Sequence, residues 1–253
     1  MNNYTIYFSP TGGTEKVIKL LAAEFGDCTE IDLSKKDAKD ARWFEQDDLC
    51  IIGVPSYGGR VPPVALERME NFRGKATKAI LVAVYGNRAY EDTLAELYDF
   101  LVERGFLCVA AIAAIAEHSI MHQFARKRPD NEDAKELAQY AKDIKAKLAN
   151  GGDLKNVGLP GNRPYKAYHG VPLTPKANKK CTKCGKCVKS CPVGAISVDT
   201  PAVTDKNVCI SCMRCVSICP VKARNVSGIL VKMASLKMKK ECAQRKDNEL
   251  FIE

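Results

Sequence analysis

The sequence predicts an α/β protein in two parts. These are a doubly wound, five-stranded parallel sheet over residues 1–150 and a small α+β unit over residues 176–228. Apolar runs alternate with helical patterns through the first 150 residues, which is typical of a parallel sheet with crossover helices. One cysteine pattern occurs twice in the second part, and the length of 253 residues leaves room for one ordinary domain and one small one.

The elements of the first part follow from the spacing of its apolar residues. In the segment at 93–104, Leu94, Leu97 and Leu101 share one helical face, whereas the segment at 49–54 is a continuous apolar run typical of a buried strand. Ligands of such sheets bind at the carboxyl ends of the strands. We expect strands at residues 4–8, 28–33, 49–54, 78–84 and 106–116, and helices at 14–25, 93–104 and 132–148.

Two further segments lie outside these parts. Residues 151–175 are predicted to form an ordered inter-domain arm, because several aromatic and aliphatic side chains at 165–173 can pack. Residues 229–253 are predicted to form a helical tail whose apolar stripe packs on the first domain or on a second subunit and is not part of a cofactor site. Its apolar residues lie roughly on one side and are Leu230, Met233, Leu236 and Met238.

Each copy of the cysteine pattern reads C-x2-C-x2-C-x3-C-P, the run of bacterial proteins with two [4Fe-4S] clusters. Two residues between cysteines let a tight loop direct successive thiolates at one face of a cubane, and the fourth cysteine points toward the other cluster. C-x2-C pairs also bind zinc, but zinc requires neither the third cysteine nor the proline. We therefore expect two clusters with crossed ligands: Cys181, Cys184 and Cys187 with Cys219, and Cys209, Cys212 and Cys215 with Cys191.

The two cysteine segments are copies of each other, 28 residues apart. Outside the cysteines they share the proline at 192 and 220, the alanine at 195 and 223, and valines at three further pairs of positions. Such a duplication suggests a pseudo-two-fold unit with one cluster in each half. The unit is too small to bury a large core, so we expect the clusters to hold it folded.

Charge is distributed unevenly along the chain. Residues 1–150 hold 20 Lys and Arg against 23 Asp and Glu, and residues 151–253 hold 19 against 7, for net charges of −3 and +12. The excess is either a docking surface for an acidic redox protein partner or a solvated face that balances the negative clusters. No aromatic platform accompanies it, so we expect no nucleic-acid partner. The lysines concerned are Lys179, Lys180, Lys183, Lys186, Lys189, Lys237, Lys239 and Lys240.

We expect a cytoplasmic protein without a membrane partner. Met1 leads directly into an apolar strand, and the longest apolar run, at 106–116, is too short to span a bilayer. Exposed low-potential clusters tolerate oxygen poorly, which favours an anaerobic source. The four cysteines outside the motifs are expected to be small buried hydrophobes, and they are Cys28, Cys50, Cys108 and Cys242.

Three loops at the carboxyl ends of predicted strands are suited to a ligand. The loop at 9–14 combines two glycines and three hydroxyls at a helix N-terminus, which suits a phosphate, although an ordinary turn capped by Thr14 has the same composition. The loops at 53–63 and 85–92 are irregular, and they present Tyr57 and Tyr90 as flat surfaces.

On these loops the first half, over about residues 3–149, resembles flavodoxins. The cysteine half, over about residues 175–228, resembles two-cluster ferredoxins, and the pair resembles the flavodoxin–ferredoxin fusion proteins of anaerobes. The resemblance implies bound flavin mononucleotide (FMN). It departs from flavodoxins at Gly13, where they commonly carry asparagine, and at Pro10, which removes a backbone donor. The residues implied at the flavin are Ser9, Thr11, Gly12, Gly13, Thr14, Pro55, Ser56, Tyr57, Gly58, Gly59, Gly86, Asn87 and Tyr90.

The expected function is electron transfer between bound FMN and two [4Fe-4S] clusters, because flavin accepts electron pairs and clusters carry single electrons. The alternative is a flavin-dependent oxidoreductase that acts on a small substrate, with the clusters connecting it to an external ferredoxin. A redox sensor is a third possibility, but no output element is visible. No G-x-G-x-x-G occurs, so no nicotinamide-binding Rossmann motif is present. His118 follows the fifth strand, either as a proton relay at the flavin or as a loop histidine bonded to the backbone.

Overall fold

The computed structural model describes residues 2–38, 40–150 and 158–252. Residues 151–157, the beginning of the predicted arm, lie outside the described residues. The elements in chain order are β1 (Asn3–Tyr7), α1 (Gly13–Ala22), β2 (Cys28–Asp32), β3 (Arg42–Phe44), β4 (Leu49–Pro55), α2 (Pro63–Met69), β5 (Phe72–Gly74), β6 (Thr77–Tyr85), α3 (Thr93–Val102), β7 (Phe106–Ile115), α4 (Asn131–Asn150), β8 (Lys176–Ala177), α5 (Lys186–Ser190), α6 (Arg214–Ser217), β9 (Arg224–Asn225), α7 (Gly228–Cys242) and β10 (Glu249–Phe251).

The main sheet confirms the predicted α/β class. Its five parallel strands lie in the order β2-β1-β4-β6-β7. In the numbering of these five strands alone this order is 2-1-3-4-5, which is that of the flavodoxin-like doubly wound fold. The short strands β3 and β5, which the sequence did not predict, form a separate parallel pair.

A sixth strand was also not predicted. β10 pairs antiparallel with β7 at the edge of the sheet, with Leu250 opposite Ile112. The segment expected to be a helical tail, 229–253, therefore contains a helix, α7, followed by a strand of the first domain's sheet. The C-terminus thus returns to the first domain after the cysteine-rich unit.

The central strands β4, β6 and β7 are largely continuous apolar runs because helices cover both faces of the sheet. In β4, Cys50 and Ile52 face the core under α2 and α3, whereas Leu49 and Ile51 face the core under α1 and α4. All four side chains are at most 1% exposed. Burying each aliphatic side chain contributes about 1.5–3 kcal/mol, so the sheet is a rigid support for the loops at its edge.

The cysteine-rich unit is small and packs directly on the first domain. Its only regular elements among the described residues are α5, α6 and the antiparallel pair β8–β9. Val193 and Ile210 pack against the core under α2 and α3. Arg68, which is 6% exposed, donates to the Pro192 carbonyl oxygen at 2.6 Å. The two parts are therefore joined by apolar packing and by a buried cation.

Helix α7 packs on the loop that follows β7. Cys242 is buried with Met121 and Phe124, and Met238 packs against the same cluster. The Ser227 hydroxyl accepts the Leu230 amide at 3.5 Å at the beginning of the helix. Within the described parts of the chain, no helix combines the length and apolar character needed to cross a bilayer.

Candidate flavin and cluster sites

The loop between β1 and α1 is shaped for an anion. Gly12 has φ +87°, a left-handed conformation that favours glycine, and it turns the chain into the helix. The Ser9 hydroxyl accepts the Glu15 amide at 2.9 Å. The preceding first-turn amides, of Gly13 and Thr14, have no acceptor within the helix, so they are available to a phosphate together with the helix dipole.

The loops after β4 and β6 approach this loop from the other side. Gly86 lies so close to His118 that a Cβ atom at position 86 would lie 2.7 Å from the His118 Cδ2. Gly13 tolerates more, since a Cβ there would meet the Ala116 Cβ at 3.4 Å. The glycine at 86 therefore allows His118 to form part of the wall.

The three loops enclose one cavity of about 500 Å³, a size suited to a cofactor. Ten of the thirteen residues predicted at the flavin line it: Ser9, Thr11, Gly13, Thr14, Pro55, Ser56, Tyr57, Gly58, Gly59 and Gly86.

The other three predicted residues, Gly12, Asn87 and Tyr90, do not line the cavity. Gly12 shapes the turn. Asn87 and Tyr90 are buried and bind the C-terminal segment instead. The Asn87 side-chain amide donates to the Cys242 and Gln244 carbonyl oxygens at 3.0 and 2.8 Å, and the Tyr90 hydroxyl donates to the Glu249 carboxylate at 2.8 Å.

Sequence reasoning missed the far wall of the cavity. It comes from the arm at 171–173, from Ser211 in the cysteine-rich unit, and from α7. The helical spacing of the apolar residues in α7 was the available signal, although Leu236, assigned to the same stripe, is 64% exposed and does not line the cavity. The α7 residues that line it are Leu230, Met233, Ala234, Lys237 and Met238.

The carboxylates of Asp92, Asp99 and Glu91 hold the arm, and that of Asp92 is the most deeply buried. Asp92 is fully buried and accepts the Asn162 amide at 2.8 Å and the Lys166 amide at 2.7 Å. Burial alone would raise the pKa of Asp92, but these hydrogen bonds outweigh it and lower the pKa. The ionised carboxylate thus fixes the arm, and Leu173 lies at the cavity as a result.

His118 is neutral at physiological pH. Burial, with a smaller contribution from His122, lowers the pKa of His118 to about 4. Its Nδ1 accepts the amides of Ile120 and Met121 at 3.1 and 3.3 Å. The ring proton is therefore on Nε2, which makes this nitrogen the donor that His118 can offer to a ligand. Both of the roles considered for this residue are compatible with its backbone bonds.

The second copy of the cysteine pattern surrounds a smaller cavity. Cys209, Cys212 and Cys215 line it together with Cys191 from the first copy, as the crossed ligand sets require. Within the described ranges, no three His, Cys, Asp or Glu side chains converge closely enough to hold a single metal ion. The four thiols instead border a common space.

Backbone amides are directed at the cysteine sulfurs in the same way in both halves. Ala195 N–H donates to Cys191 Sγ at 3.3 Å, and Ala223 N–H donates to Cys219 Sγ at 3.2 Å. Burial would raise the pKa of Cys219, but the surrounding amides outweigh it and lower the pKa. Burial raises the pKa of Cys212 to about 12, so ligation there must displace a proton. The residues present fit iron–sulfur ligation, in which amides bond to thiolate sulfurs.

The other four cysteines lie nearer the surface. Cys184 is exposed, whereas Cys181, Cys187 and Cys219 are partly buried. If these four form the second ligand set, the cluster that they hold is the one closer to solvent.

The two cavities share a wall. Ser211 lines the larger cavity and Cys212, the next residue, lines the smaller one. Tyr57 lines the larger cavity near Cys212. Burial raises its pKa well above the usual value, with smaller contributions from the Cys212 thiol and the Tyr168 hydroxyl. The Ser211 hydroxyl also donates to the Val171 carbonyl oxygen at 2.5 Å, which ties this wall to the arm.

A family model for 4Fe-4S dicluster domains matches residues 180–223. The chain joins a flavodoxin-like sheet to a 4Fe-4S dicluster domain. Iron–sulfur electron transfer is thus indicated for the second half. No curated protein matches the chain.

Several solved structures are similar to the first half alone. A flavodoxin from the domain Archaea is 14% identical over 59% of this chain and 99% of its own, with a TM-score of 0.42. Flavodoxin 2 from Bacillus cereus is 17% identical over 58% of this chain and 99% of its own, with a TM-score of 0.44. Rubredoxin oxygen:oxidoreductase from Desulfovibrio gigas is 17% identical over 58% of this chain and 37% of its own, with a TM-score of 0.37. The strand order 2-1-3-4-5 is what assigns the first domain to the flavodoxin-like fold.

Proposed function

We propose that the protein transfers electrons between FMN, bound in the larger cavity, and two [4Fe-4S] clusters. The observation that carries this proposal is the shared wall, in which Ser211 borders one cavity and Cys212 borders the other. A flavin in the first would be separated from a cluster in the second by little more than this wall. If bound here, fully reduced FMN would supply two electrons and two protons, of which each cluster would accept one electron and solvent would accept the protons.

The chain's own residues would hold the flavin at both ends. The amides of the loop at 9–14 and the α1 dipole would bind the phosphate. Tyr57 would face the ring, and the Nε2 proton of His118 would donate to an acceptor atom in the cavity. The arm and α7 would border the ring, and the wall at Cys212 would be the route for electrons.

The surface of the dicluster domain would receive an acidic redox partner. Cys184 is exposed, and six exposed lysines surround it in the sequence without any Asp or Glu between residues 176 and 191. Complementary charge speeds association, and the effect falls as salt is added. Replacing Lys183 and Lys186 with glutamine should slow electron transfer to an acidic ferredoxin at low salt and reduce its salt dependence. The same replacement of Lys142 and Lys145 on α4 serves as the charge-matched control. If the two pairs of substitutions had equal effects, the proposal that an acidic partner docks at Cys184 would be wrong.

A second candidate function is flavin-dependent oxidation or reduction of a small substrate. The observation that favours it is the α7 wall, where Leu230 and Met233 remain 48% and 56% exposed although they line the cavity. Lys237 projects from the same wall and forms no ion pair among the described residues. An apolar, anionic compound would suit this wall.

The test is electron transfer to an external one-electron acceptor after anaerobic reconstitution, with FMN and iron counted. Cys212→Ser should reduce transfer from the flavin by more than about tenfold while the FMN content is kept. Cys28→Ser, outside both sites, is the matched control. Transfer by the cluster-deficient variant at the wild-type rate, or a wild-type protein without FMN, would contradict the proposal.

A further inference from the structure

Among the residues that the structure describes, Arg224 is the largest fully buried side chain, with 1% of its surface exposed. It lies in the dicluster domain, five residues after Cys219. A buried cation normally has a carboxylate partner, because an unpaired charge is costly to remove from water. Among the described residues Arg224 forms no ion pair, and its Nε is buried without a hydrogen-bond partner. Its counter-charge must therefore come from elsewhere.

The neighbours of the guanidinium are carbonyl oxygens and sulfurs. Nη1 donates to the Pro201 carbonyl oxygen at 2.6 Å, and Nη2 donates to the Pro175 carbonyl oxygen at 3.2 Å and to the Thr204 hydroxyl. Nη1 also lies 3.8 Å from Cys187 Sγ, and the charge of Arg224 is near enough to the Cys215 thiol to interact with it electrostatically. Cys187 and Cys215 belong to different predicted ligand sets, so the cation lies between the two sets.

The internal repeat shows that this cation is specific to one half. The residue 28 positions earlier is Ile196, which is 3% exposed and lines the cavity of Cys191 and Cys215. The matching amide–sulfur bonds of Ala195 and Ala223 show that the two halves have the same local geometry here. A charge therefore replaces an apolar side chain at one of two equivalent positions.

We propose that Arg224 is a positioning residue that sets the reduction potentials of both clusters, an inference that rests on the proposed function. An oxidised cluster with four thiolates carries a charge of about −2, and each electron that it accepts adds one negative charge. A fixed cation beside a sulfur of each set favours the reduced forms, because its attraction grows when the electron arrives and little water is present to screen it. Both potentials are therefore higher than they would be with a neutral side chain.

The test is a redox titration of both clusters in the full-length protein, followed by paramagnetic resonance with iron counted. Arg224→Gln keeps a polar side chain without charge. It should lower both midpoint potentials by at least the equivalent of a tenfold change in the ratio of reduced to oxidised cluster, which is about 59 mV for one electron. Arg224→Lys should shift them by less than this amount. Thr204→Val removes a partner of the guanidinium without changing charge and should leave them unchanged.

Unchanged potentials in Arg224→Gln with full iron content would overturn the proposal, and so would an equal shift in Thr204→Val. If Arg224→Gln loses its iron, the midpoint potentials of Arg224→Lys decide the question. Potentials within about 59 mV of the wild-type values would support a role for the charge, and a larger fall would overturn the proposal. A wild-type protein that holds no clusters would instead contradict the proposed function, so the two failures are distinguishable.

Discussion

Arg68 joins the first domain to the cysteine-rich unit, which borders the larger cavity. Its guanidinium donates to the carbonyl oxygens of Pro192, at 2.6 Å, and of Leu33 and Lys36. Pro192 is buried and directly follows Cys191, a predicted cluster ligand. Arg68→Met keeps most of the apolar stem but leaves the Pro192 oxygen buried without a donor.

The expected cost of this change is set by that oxygen. An unsatisfied buried acceptor costs about 1–3 kcal/mol. At about 1.4 kcal/mol for each factor of ten, the population in which the domains are separated should rise by about 5- to 150-fold. Hydrogen exchange of residues 190–196 reports this opening, because Val193 in this segment packs against the core of the first domain in the closed state. Exchange there should accelerate by the same factor, while FMN and iron contents stay near those of the wild type.

The control is Arg73→Met, in which an exposed arginine that bonds only to the nearby Glu70 and Phe72 carbonyl oxygens is replaced in the same way. Exchange of residues 190–196 should then be unchanged. The amides of β6 provide an internal reference in both variants, because this strand lies at the centre of the sheet. If Arg68→Met left the exchange of residues 190–196 at the wild-type rate, the proposed role of Arg68 in docking would be wrong.

Three further predictions concern the two sites. The pKa of His118 is about 4 in the folded protein and about 6.5 when the chain is unfolded. The neutral imidazole therefore contributes fully to stability above pH 6.5, and this contribution is lost as the pH falls toward 4. The loss is up to about 3 kcal/mol before solvent screening. His118→Gln should flatten the fall in the thermal midpoint between pH 7 and 4.5, and a slope equal to that of the exposed-site control His169→Gln would refute this. Gly86→Ala should displace His118 and weaken FMN binding by about 5- to 150-fold, which corresponds to the cost of overpacking a core. Gly13→Ala should bind FMN within about threefold of the wild-type affinity. Fluorescence titration measures both affinities, and similar values for the two variants would contradict FMN binding in this cavity. Cys191→Ala should damage the cluster of the later cysteines, as judged by iron content and spectra, and equal loss of both clusters, or loss of the nearer one alone, would contradict crossed ligation.

The central strands β4, β6 and β7 could be predicted because burial on both faces makes each of them a largely continuous apolar run. β4, for example, was expected at 49–54 and extends over Leu49–Pro55. β10 could not be predicted in this way, because it has only three residues and its position depends on tertiary contacts. The Asn248 side chain just before it accepts the Ile115 amide at 2.8 Å and donates to the Asp133 carboxylate at 3.1 Å. These contacts leave no periodic signal in the sequence.

The unpredicted return of the chain through β10 also explains why two of the residues predicted at the flavin do not line the cavity. Asn87 and Tyr90 lie on the expected loop, but the chain that returns from α7 to β10 packs against it and takes up both polar groups. The cysteine positions were easier to predict, since their ligand spacing is local and is repeated after 28 residues. The burial of Arg224 near cysteines of both sets could not be predicted from the sequence, because it depends on how the two halves of the unit pack together.

The most direct test of the central claim is selective photoreduction of bound flavin in the anaerobic protein, with EDTA as the sacrificial electron donor, followed by rapid freezing and paramagnetic resonance. We expect cluster signals to appear as the flavin is reoxidised, without any external mediator, and we expect Arg68→Met to slow their appearance. If the flavin stayed reduced while the clusters remained oxidised, the shared wall at Ser211 and Cys212 would not be an electron path, and the proposed function would be wrong.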